Sequence, residues 1–296
     1  MPVSGTEVND MRHIIHSQLL TRKVKIYLVG AGGNGSQVLS GLSRLHLSLL
    51  SLGHPGGIDV TVFDSDIVST SNIGRQLFYA TDVGLNKAVV LVHRLNVAFG
   101  LDWKAWPERF DRTLSDRHRF SAPDILISCV DSAVSRREIN SLLDGGYSHT
   151  YWLDLGNSSS TGQVVLGEPR TNGERRKRTK NSLRLPTVTE LFPELNDPSI
   201  PEDDSPTCSL AEALERQELF ICQAVSTHAL QMLWSLFRYG GLDFSAQFIN
   251  LKSGIVTPLL IDPEKWQRFF EPPKKPAKTR SKKRQAVVAR AMPAAP

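Results

Sequence analysis

Val24-Lys25-Ile26-Tyr27-Leu28-Val29, followed at once by Gly30-Ala31-Gly32-Gly33-Asn34-Gly35, is the stretch that decides the expected fold. The apolar run indicates a buried strand, and the helical spacing of apolar residues from Ser36 to Leu50 indicates a helix. The turn between them matches G-x-G-x-x-G, a pattern whose backbone amides and helix dipole can face phosphate groups. The sequence therefore predicts a nucleotide-binding turn; a tight glycine turn that binds nothing is the simpler alternative.

Strand and helix signals alternate along the chain beyond this turn. A second strand is expected at Ile58 to Phe63, a helix at Leu85 to Phe99, and a buried strand at Asp124 to Val130. Further short strands are expected at Tyr151 to Leu155 and Gln163 to Leu166. This alternation predicts a doubly wound, Rossmann-like α/β fold with a mostly parallel sheet covered on both faces.

The carboxyl-terminal part shows a different pattern. A helical region runs from about Leu210 to Tyr239, and Ala246 to Ile261 is expected to form paired antiparallel strands. The preceding segment is charged and rich in proline, which is typical of a mobile crossover loop. Five parts are therefore expected: an amino-terminal arm (1–20), a nucleotide-binding core (21–167), the crossover loop (168–206), a helix with strands that complete the domain (207–270), and a disordered tail (271–296).

Charge is distributed unevenly along the chain. The net charge is +5, yet residues 271–296 alone hold eight Lys and Arg and one acid, so the rest of the chain has a slight excess of acids. Such a tail cannot bury a core and is expected to be disordered. A solvated tail is the simplest interpretation, and weak nucleic-acid contact or recruitment of an acidic partner are the alternatives.

Composition also bears on metal content and location. Three cysteines, Cys129, Cys208 and Cys222, are too few and too scattered for a disulfide framework or a four-thiolate zinc site, so no zinc is expected. There is no apolar run of about 18 residues and no apolar signal core at the amino terminus. A cytoplasmic protein without a membrane span is therefore expected.

Polar residues follow two of the expected strands. Asp64 ends the second strand, where Rossmann proteins place an acid on a ribose hydroxyl, so NAD and ATP both fit. Asn72, Arg75 and Lys87 then supply donors that a triphosphate with magnesium needs and a dehydrogenase does not, although Lys87 would alternatively form a surface salt bridge. Asp131 follows the next buried strand, where it would hold a hydrated magnesium ion or cap the following helix.

The motifs stand in a definite order, G-x-G-G-x-G, D-x-D-x-V-x-x-S-N-x-x-R-Q, D-x-G-x-x-K and C-x-D. Their order and spacing over residues 24–165 resemble the ThiF/MoeB and ubiquitin-activating (E1-like) superfamily, and most of all the ThiF-family protein of bacterial PRTRC cassettes. The resemblance implies a homodimeric enzyme that uses ATP and Mg²⁺ to adenylate the C-terminal carboxylate of a small ubiquitin-like or sulfur-carrier-like protein with a Gly-rich carboxyl terminus.

The resemblance also assigns roles to residues. It places Asp64 on the ribose, Asn72, Arg75 and Lys87 around the phosphates, and Asp131 on the magnesium ion. The implied nucleotide-binding set is Gly30, Gly32, Gly33, Gly35, Asp64, Asp66, Asn72, Arg75, Gln76 and Lys87, and the implied catalytic set is Arg75, Lys87, Asp131 and Cys208.

Cys208 lies at the end of the acidic crossover loop, just ahead of a helix. In thiol-using relatives a loop in this region carries the cysteine that takes the activated protein as a thioester, so the same role is expected for Cys208. Cys129 and Cys222 are expected to be buried. Arg12 is a candidate for the basic residue that, in many relatives, reaches the partner subunit's ATP site.

The sequence departs from the family pattern at two places. Asn34 stands where Leu is usual, and Ile73-Gly74 replaces the commoner Leu-Asn or Leu-Gln. Two other functions stay open. One is a nicotinamide dehydrogenase that uses the same glycine turn, although no hydride-transfer acid is visible; the other is a nucleotide-binding module without turnover.

Overall fold

A computed structural model describes residues 11–144, 150–170, 184–197, 199 and 217–270. An eight-stranded mixed sheet organises this part of the chain, and a two-stranded sheet lies beside it. The strands are β1 (His13–Ile14), β2 (Val24–Val29), β3 (Ile58–Phe63), β4 (Lys104–Trp106), β5 (Ile125–Ser128), β6 (Tyr151–Asn157), β7 (Thr161–Gly167), β8 (Gly241–Leu242), β9 (Phe244–Asn250) and β10 (Ile255–Leu260).

The large sheet has the order β10-β9-β7-β6-β5-β2-β3-β4. Strands β6, β5, β2, β3 and β4 pair in parallel, whereas β6 with β7, β7 with β9, and β9 with β10 pair antiparallel. The sheet therefore has a parallel half and an antiparallel half, which meet at β6. Strands β1 and β8 form the small antiparallel sheet.

Helices pack against the large sheet. Helix α1 begins at the glycine turn and buries one apolar face against β2 and the last long helix. The helices of the described residues are α1 (Gly33–Ser51), α2 (Lys87–Phe99), α3 (Arg112–His118), α4 (Ala133–Leu143), α5 (Val188–Leu191), α6 (Ile221–Tyr239) and α7 (Pro263–Phe270). In the described part of the chain, none of them is both long and apolar enough to cross a membrane.

The doubly wound fold class is confirmed, including the antiparallel strands near the carboxyl terminus. Strand β3 has the predicted bounds, and α1 starts at Gly33 because the second half of the glycine turn forms its first turn. Helix α2 starts at Lys87, two residues later than predicted, since the Asn86 side chain accepts a hydrogen bond from the Val89 amide and caps the helix. The helix expected from Leu210 is described only from Ile221.

The expected crossover loop contains a packed segment, which differs from the expectation of mobility for these residues. In residues 184–197, Leu185, Val188 and Leu191 are buried, and the Glu190 side chain completes a capping box at the start of α5. These apolar side chains bury enough surface to hold the segment in place. Residues 171–183 and 200–216, which include Cys208, lie outside the described residues, as does the tail 271–296.

Candidate functional site

A large cavity lies at the carboxyl ends of the parallel strands β2, β3 and β5. Strand β2 has β3 on one side and β5 on the other, so the strand order changes direction here, and open α/β sheets bind their ligands at such points. The cavity volume is about 1660 Å³. Most small-molecule sites occupy roughly 300–1,000 Å³, so this cavity has room for a nucleotide and part of a second substrate.

The glycine turn forms one wall of the cavity. A Cβ atom on Gly35 would collide with the carbonyl oxygen of Gly30, and one on Gly33 would lie 2.6 Å from the Cys222 sulfur. At Gly32 the nearest atom to such a Cβ would be Gln76 Oε1, 3.9 Å away. Gly33 and Gly35 are therefore needed for packing, whereas Gly32 faces open space in the cavity and lets a ligand approach its backbone.

Asp64 lies beside this turn. Its carboxylate accepts hydrogen bonds from the Ala31 amide at 2.5 Å and from the Asp66 amide at 2.7 Å. Burial raises the pKa of Asp64, and those two hydrogen bonds oppose the shift in part. The carboxylate is thus held at the end of β3, where a ribose hydroxyl is expected.

Lys87 and Asp66 form an ion pair at the start of α2. Lys87 Nζ lies 2.8 Å from Asp66 Oδ2, and the Lys87 side chain is 10% exposed against 64% for Asp66. The sequence left a surface salt bridge as the alternative role of Lys87. Lys87 does form a salt bridge, but its side chain is buried and does not lie on the surface. The Asn86 amide group also donates to the carbonyl oxygens of Asp64 and Asp66. Sequence reasoning missed Asn86, although its position before an expected helix is a capping signal.

Asn72, Arg75 and Gln76 form the next part of the wall. Asn72 Oδ1 accepts from the Ser69 amide at 2.9 Å, so this side chain shapes its own loop. Arg75 Nη1 donates to Gln217 Oε1 at 3.2 Å. Among the described residues, Arg75 Nε and Gln76 Oε1 are buried polar atoms without a hydrogen-bond partner.

Asp131 is exposed on the cavity wall beyond β5. The alternative that it caps the following helix is wrong, because the Ser132 hydroxyl accepts the hydrogen bond from the Ser135 amide at the start of α4. In the described ranges, no group of three or more His, Cys, Asp or Glu side chains is arranged to hold a metal ion. A single carboxylate is nevertheless what a protein commonly adds to magnesium on a triphosphate, since phosphates and waters fill the other positions.

Arg136 holds the part of the cavity wall that carries Asp131, and sequence reasoning missed it. Its Nε lies 3.0 Å from Asp154 Oδ1, and both side chains are almost fully buried. Its Nη2 donates to the carbonyl oxygens of Val130 and Leu155. Asp154 also accepts from the Ser128 hydroxyl at 2.6 Å. Arg136 thus ties the loop that carries Asp131 to β6, the strand where the two halves of the sheet meet.

The cavity wall divides by charge into two parts. We call the first the charged arm; its charged side chains are Asp64, Asp66, Arg75, Lys87, Arg109, Asp131 and Arg136. We call the second the neutral arm; it consists of the wall residues within 155–163 and 248–257, contributed by β6, β7, β9, β10 and their connecting turns, together with Gln217. Among the described residues that line the neutral arm, none is ionisable.

Two thiols line the cavity between the arms. Burial raises the pKa of Cys129 well above its ordinary value, and nearby Asp154 raises it further. Burial also raises the pKa of Cys222, while nearby Arg75 acts in the opposite direction. Both thiols are free, and their raised pKa values make them poor nucleophiles at neutral pH.

Arg12 lies away from this cavity. Its Nη2 donates to the Tyr239 carbonyl oxygen at 3.4 Å, and its Nε lies 3.8 Å from Asp243 Oδ1. The structure therefore brings the expected nucleotide-binding residues other than Gly35, together with Asp131, around one cavity, while Arg12 lies at the carboxyl end of α6. Cys208 belongs to the residues that are not described.

A family comparison matches the ThiF family over residues 11–254. The curated relatives include the ATP-dependent ubiquitin transferase-like protein Cap2 of Enterobacter hormaechei subsp. hoffmannii, which is 33% identical over 75 residues, or 25% of this chain and 11% of that protein. The adenylyltransferase and sulfurtransferase UBA4 of Candida albicans is 31% identical over 130 residues, 43% of this chain and 27% of that protein.

The NEDD8-activating enzyme E1 catalytic subunit of Dictyostelium discoideum is 32% identical over 125 residues, which are 42% of this chain and 26% of that protein. The matches to these three relatives thus span between 11% and 27% of their lengths. They are similar to this chain in part of their own sequences.

Proposed function

This chain belongs to the ThiF family, and from that premise we propose that it uses Mg-ATP to adenylate the C-terminal carboxylate of a small ubiquitin-like or sulfur-carrier protein. The observation that carries the proposal is the charged arm, in which Arg75, Lys87 and Asp131 line the same cavity as the glycine turn. A cavity lined by several basic groups and an exposed carboxylate suits a triphosphate with its metal.

Unpaired polar atoms support the fit of ATP to this cavity. Arg75 Nε and Gln76 Oε1 are buried without a partner, and each such atom costs about 1–3 kcal/mol when it stays unpaired. Native proteins rarely keep such atoms without a functional reason. Arg75 Nε is a donor, so a small rotation would let it pair with a phosphate oxygen, whereas Gln76 Oε1 is an acceptor and would pair with a hydroxyl or N–H group of the nucleotide.

The reaction needs little beyond positioning and charge. A peptide carboxylate is ionised at neutral pH, so it attacks the α-phosphorus without a general base. A carboxylate oxygen bonds to the α-phosphorus, the bond from that phosphorus to the bridging oxygen breaks, and pyrophosphate leaves with the electron pair. Arg75 and Lys87 offset the charge that accumulates on the phosphates, and the glycine turn holds the α-phosphate at the start of α1.

Magnesium would supply further charge neutralisation on the phosphates, and Asp131 would hold it. Lys87 is paired with Asp66 at 2.8 Å, which keeps its ammonium group oriented at the start of α2. Asp64 would bind the ribose through its carboxylate, which two backbone amides already position.

The dehydrogenase alternative fits the cavity less well. Its described wall contains no histidine or tyrosine that would exchange a proton with a substrate hydroxyl during hydride transfer. Two basic side chains beyond the ribose position are also unexplained by NAD. A nucleotide-binding module without turnover has the same wall as an enzyme, so only activity separates these two.

Calorimetry and isotope exchange test the proposal. We expect ATP with magnesium to bind at micromolar concentration and NAD to bind far more weakly. A small protein with a Gly-rich carboxyl terminus, encoded beside this gene, should then support exchange of labelled pyrophosphate into ATP. Micromolar binding of NAD without binding of ATP would overturn the adenylation proposal, and ATP binding without exchange would favour the module.

A second step is proposed for Cys208, on its sequence position alone. Its thiolate would attack the acyl carbon of the adenylate, AMP would leave, and a thioester would form. The raised pKa values of Cys129 and Cys222 argue against either as the acceptor. A thiol-sensitive adduct should form with ATP and the protein substrate and should be absent in Cys208→Ala. An adduct that persists in this variant contradicts the step.

Family membership also suggests a cytoplasmic homodimer. Sedimentation at micromolar concentration should then give twice the mass of the 296-residue chain. A monomer under these conditions would contradict the dimer.

A further inference from the structure

A buried polar network lies beside the loop that carries Asp131. Arg136 is 6% exposed, and its Nε lies 3.0 Å from Asp154 Oδ1 and 3.2 Å from Asp154 Oδ2. Asp154 also accepts from the Ser128 hydroxyl at 2.6 Å, and that hydroxyl accepts from Trp152 Nε1 at 2.7 Å. The Asp154 carboxylate is thus held in place itself, and it fixes the orientation of the Arg136 guanidinium group.

The other donors of this guanidinium group hold three backbone carbonyl oxygens. Nη2 donates to Val130 at 2.8 Å and to Leu155 at 3.2 Å, and Nη1 donates to Asp131 at 3.4 Å. Val130 and Asp131 follow β5, whereas Leu155 belongs to β6. Because a guanidinium group is planar and its donors point in fixed directions, it holds these carbonyl groups at fixed positions relative to one another. The backbone of Asp131 is therefore tied to β6.

The loop from Cys129 to Asp131 is anchored at both ends and in the middle. At one end the Cys129 amide donates to the Val29 carbonyl oxygen at 2.8 Å, and at the other the Ser132 hydroxyl caps α4. Arg136 supplies the anchors in between, on the carbonyl groups of residues 130 and 131. Asp131 itself is exposed on the cavity wall. Since an aspartate side chain is short, the position of its carboxylate follows the position of this backbone.

The proposed metal ion makes that position important. Magnesium requires a near-octahedral arrangement of oxygens at about 2.0–2.1 Å, whereas calcium accepts variable arrangements at longer distances. A carboxylate that is slightly displaced therefore weakens the binding of magnesium more than that of calcium. Groups that orient a metal ligand from behind commonly contribute about 10–100-fold to metal affinity.

On the basis of the proposed function, we infer that Arg136 is a positioning residue: it fixes the backbone at Val130 and Asp131 and thereby makes the metal site selective for magnesium over calcium. Its contacts listed above are all with the protein, so it acts on the metal through Asp131. A merely structural role of Arg136 would affect the stability of the fold and leave the choice of metal unchanged.

Calorimetry of ATP binding tests this inference without turnover, because no protein substrate is present. The measured quantity is the metal gain, which is the ratio of the ATP dissociation constant with a chelator to that with a saturating metal ion. In the wild type we expect the magnesium gain to exceed the calcium gain. Arg136→Lys keeps a positive charge for Asp154, but a compact ammonium group does not span all the acceptors that the guanidinium group holds. In this variant the magnesium gain should fall about tenfold, while the calcium gain changes about twofold or less.

Three further variants separate positioning from folding and from charge. Arg136→Leu with Asp154→Leu leaves no buried charge unpaired, so it should fold and still lose the magnesium gain. Asp131→Asn removes the ligand charge and should lower the gains of both metals. The control is Arg137→Lys, since Arg137 is the next residue on α4 and donates to the Leu195 carbonyl oxygen at 3.0 Å from outside the cavity wall. Both gains should stay at the wild-type values in this control.

Each other outcome contradicts a defined statement. A wild-type magnesium gain in folded Arg136→Lys and in the folded double variant overturns the inference and leaves adenylation intact. An equal fall of both gains in Arg136→Lys overturns the selectivity for magnesium. An unchanged magnesium gain in Asp131→Asn also overturns the inference, because Arg136 would then position no metal ligand. If the folded wild type binds no ATP with or without metal, the proposed function fails and the inference falls with it.

Discussion

The two halves of the large sheet contribute differently to one cavity. In the parallel half, strands β2, β3 and β5 all end at the same edge, and their turns bring backbone amides, the start of α1 and ionisable side chains together. In the antiparallel half, neighbouring strands run in opposite directions, so β7, β9 and β10 contribute a face of neutral side chains. A parallel edge therefore suits an anionic ligand, because backbone amides and a helix start meet there.

The halves meet at β6, where a buried ion pair links them. Asp154 of β6 faces Arg136 of α4, whose guanidinium also holds the carbonyl oxygens of Val130 and Leu155. This ion pair therefore joins the loop that carries Asp131, in the charged arm, to β6, which contributes to the neutral arm. Four experiments break or sharpen this division.

The largest expected effect follows from cutting that link. Arg136→Leu leaves the Asp154 carboxylate buried without its countercharge, which should lower the free energy of unfolding by about 3–5 kcal/mol in urea titrations. Arg117→Leu removes the exposed pair of Arg117 with Glu108 and should cost less than about 1 kcal/mol. The double variant Arg136→Leu with Asp154→Leu should regain much of the loss. If Arg136→Leu lowers the free energy of unfolding no more than Arg117→Leu does, the buried ion pair does not stabilise the fold.

Next in size is the loss of the proposed magnesium ligand in the charged arm. Asp131→Asn keeps the side-chain volume and removes one charge, so pyrophosphate exchange should fall about 10²-fold, and magnesium should no longer strengthen ATP binding in calorimetry. Asp116→Asn, an exposed carboxylate on α3, serves as the control. Wild-type exchange in a folded Asp131→Asn protein would leave Asp131 without a role in the reaction.

The glycine turn allows the ligand and the fold to be separated. In Gly32→Ala the added Cβ faces open cavity, so the melting temperature should stay near that of the wild type while ATP affinity falls about tenfold. In Gly35→Ala the Cβ meets the Gly30 carbonyl oxygen, so the fold itself should be destabilised. Unchanged ATP binding in Gly32→Ala would indicate a turn that binds nothing.

The smallest expected effect concerns the thiols between the arms. Burial raises the pKa values of Cys129 and Cys222, so their alkylation by iodoacetamide should be slow at pH 7 and keep rising up to pH 9 as the thiolate fraction grows. The charge of Arg75 favours the Cys222 thiolate and opposes part of the rise in pKa that burial causes. Arg75→Gln should therefore slow labelling of Cys222 about twofold and leave labelling of Cys129 unchanged. Site-resolved mass spectrometry measures both rates; a plateau below pH 8 would contradict the raised pKa values.

Much of the fold was predictable because its signals are local. The run 24–29 with its glycine turn, strand β3 and the paired strands near the carboxyl terminus all follow from spacing over a few residues. Strand β4 and helix α3 were not predicted, because elements of three and seven residues are too short to show a periodic pattern of apolar residues. The packing of residues 184–197 was also missed, because a charged, proline-rich stretch hides its few apolar residues.

The site divides in the same way. Asp64, Arg75, Lys87 and Asp131 were found from motif order, and the structure places them around one cavity. Asn86 was missed, although its capping position is visible in the sequence. The ion pair of Arg136 with Asp154 gives no such signal. The two residues lie on a helix and on a strand, and no sequence pattern indicates that these side chains meet.

The sequence by itself determined the α/β class, the ThiF-like motif order and the charged arm, because those features depend on residues close together in the chain or on spacings that the motifs preserve. Only the tertiary structure decided the neutral arm and its hydrogen bonds to the glycine turn and to Arg75. Asn34 and Asn157 are 123 residues apart, and Arg75 and Gln217 are 142 apart. Contacts over such distances depend on the order of the strands in the sheet, which no local pattern encodes.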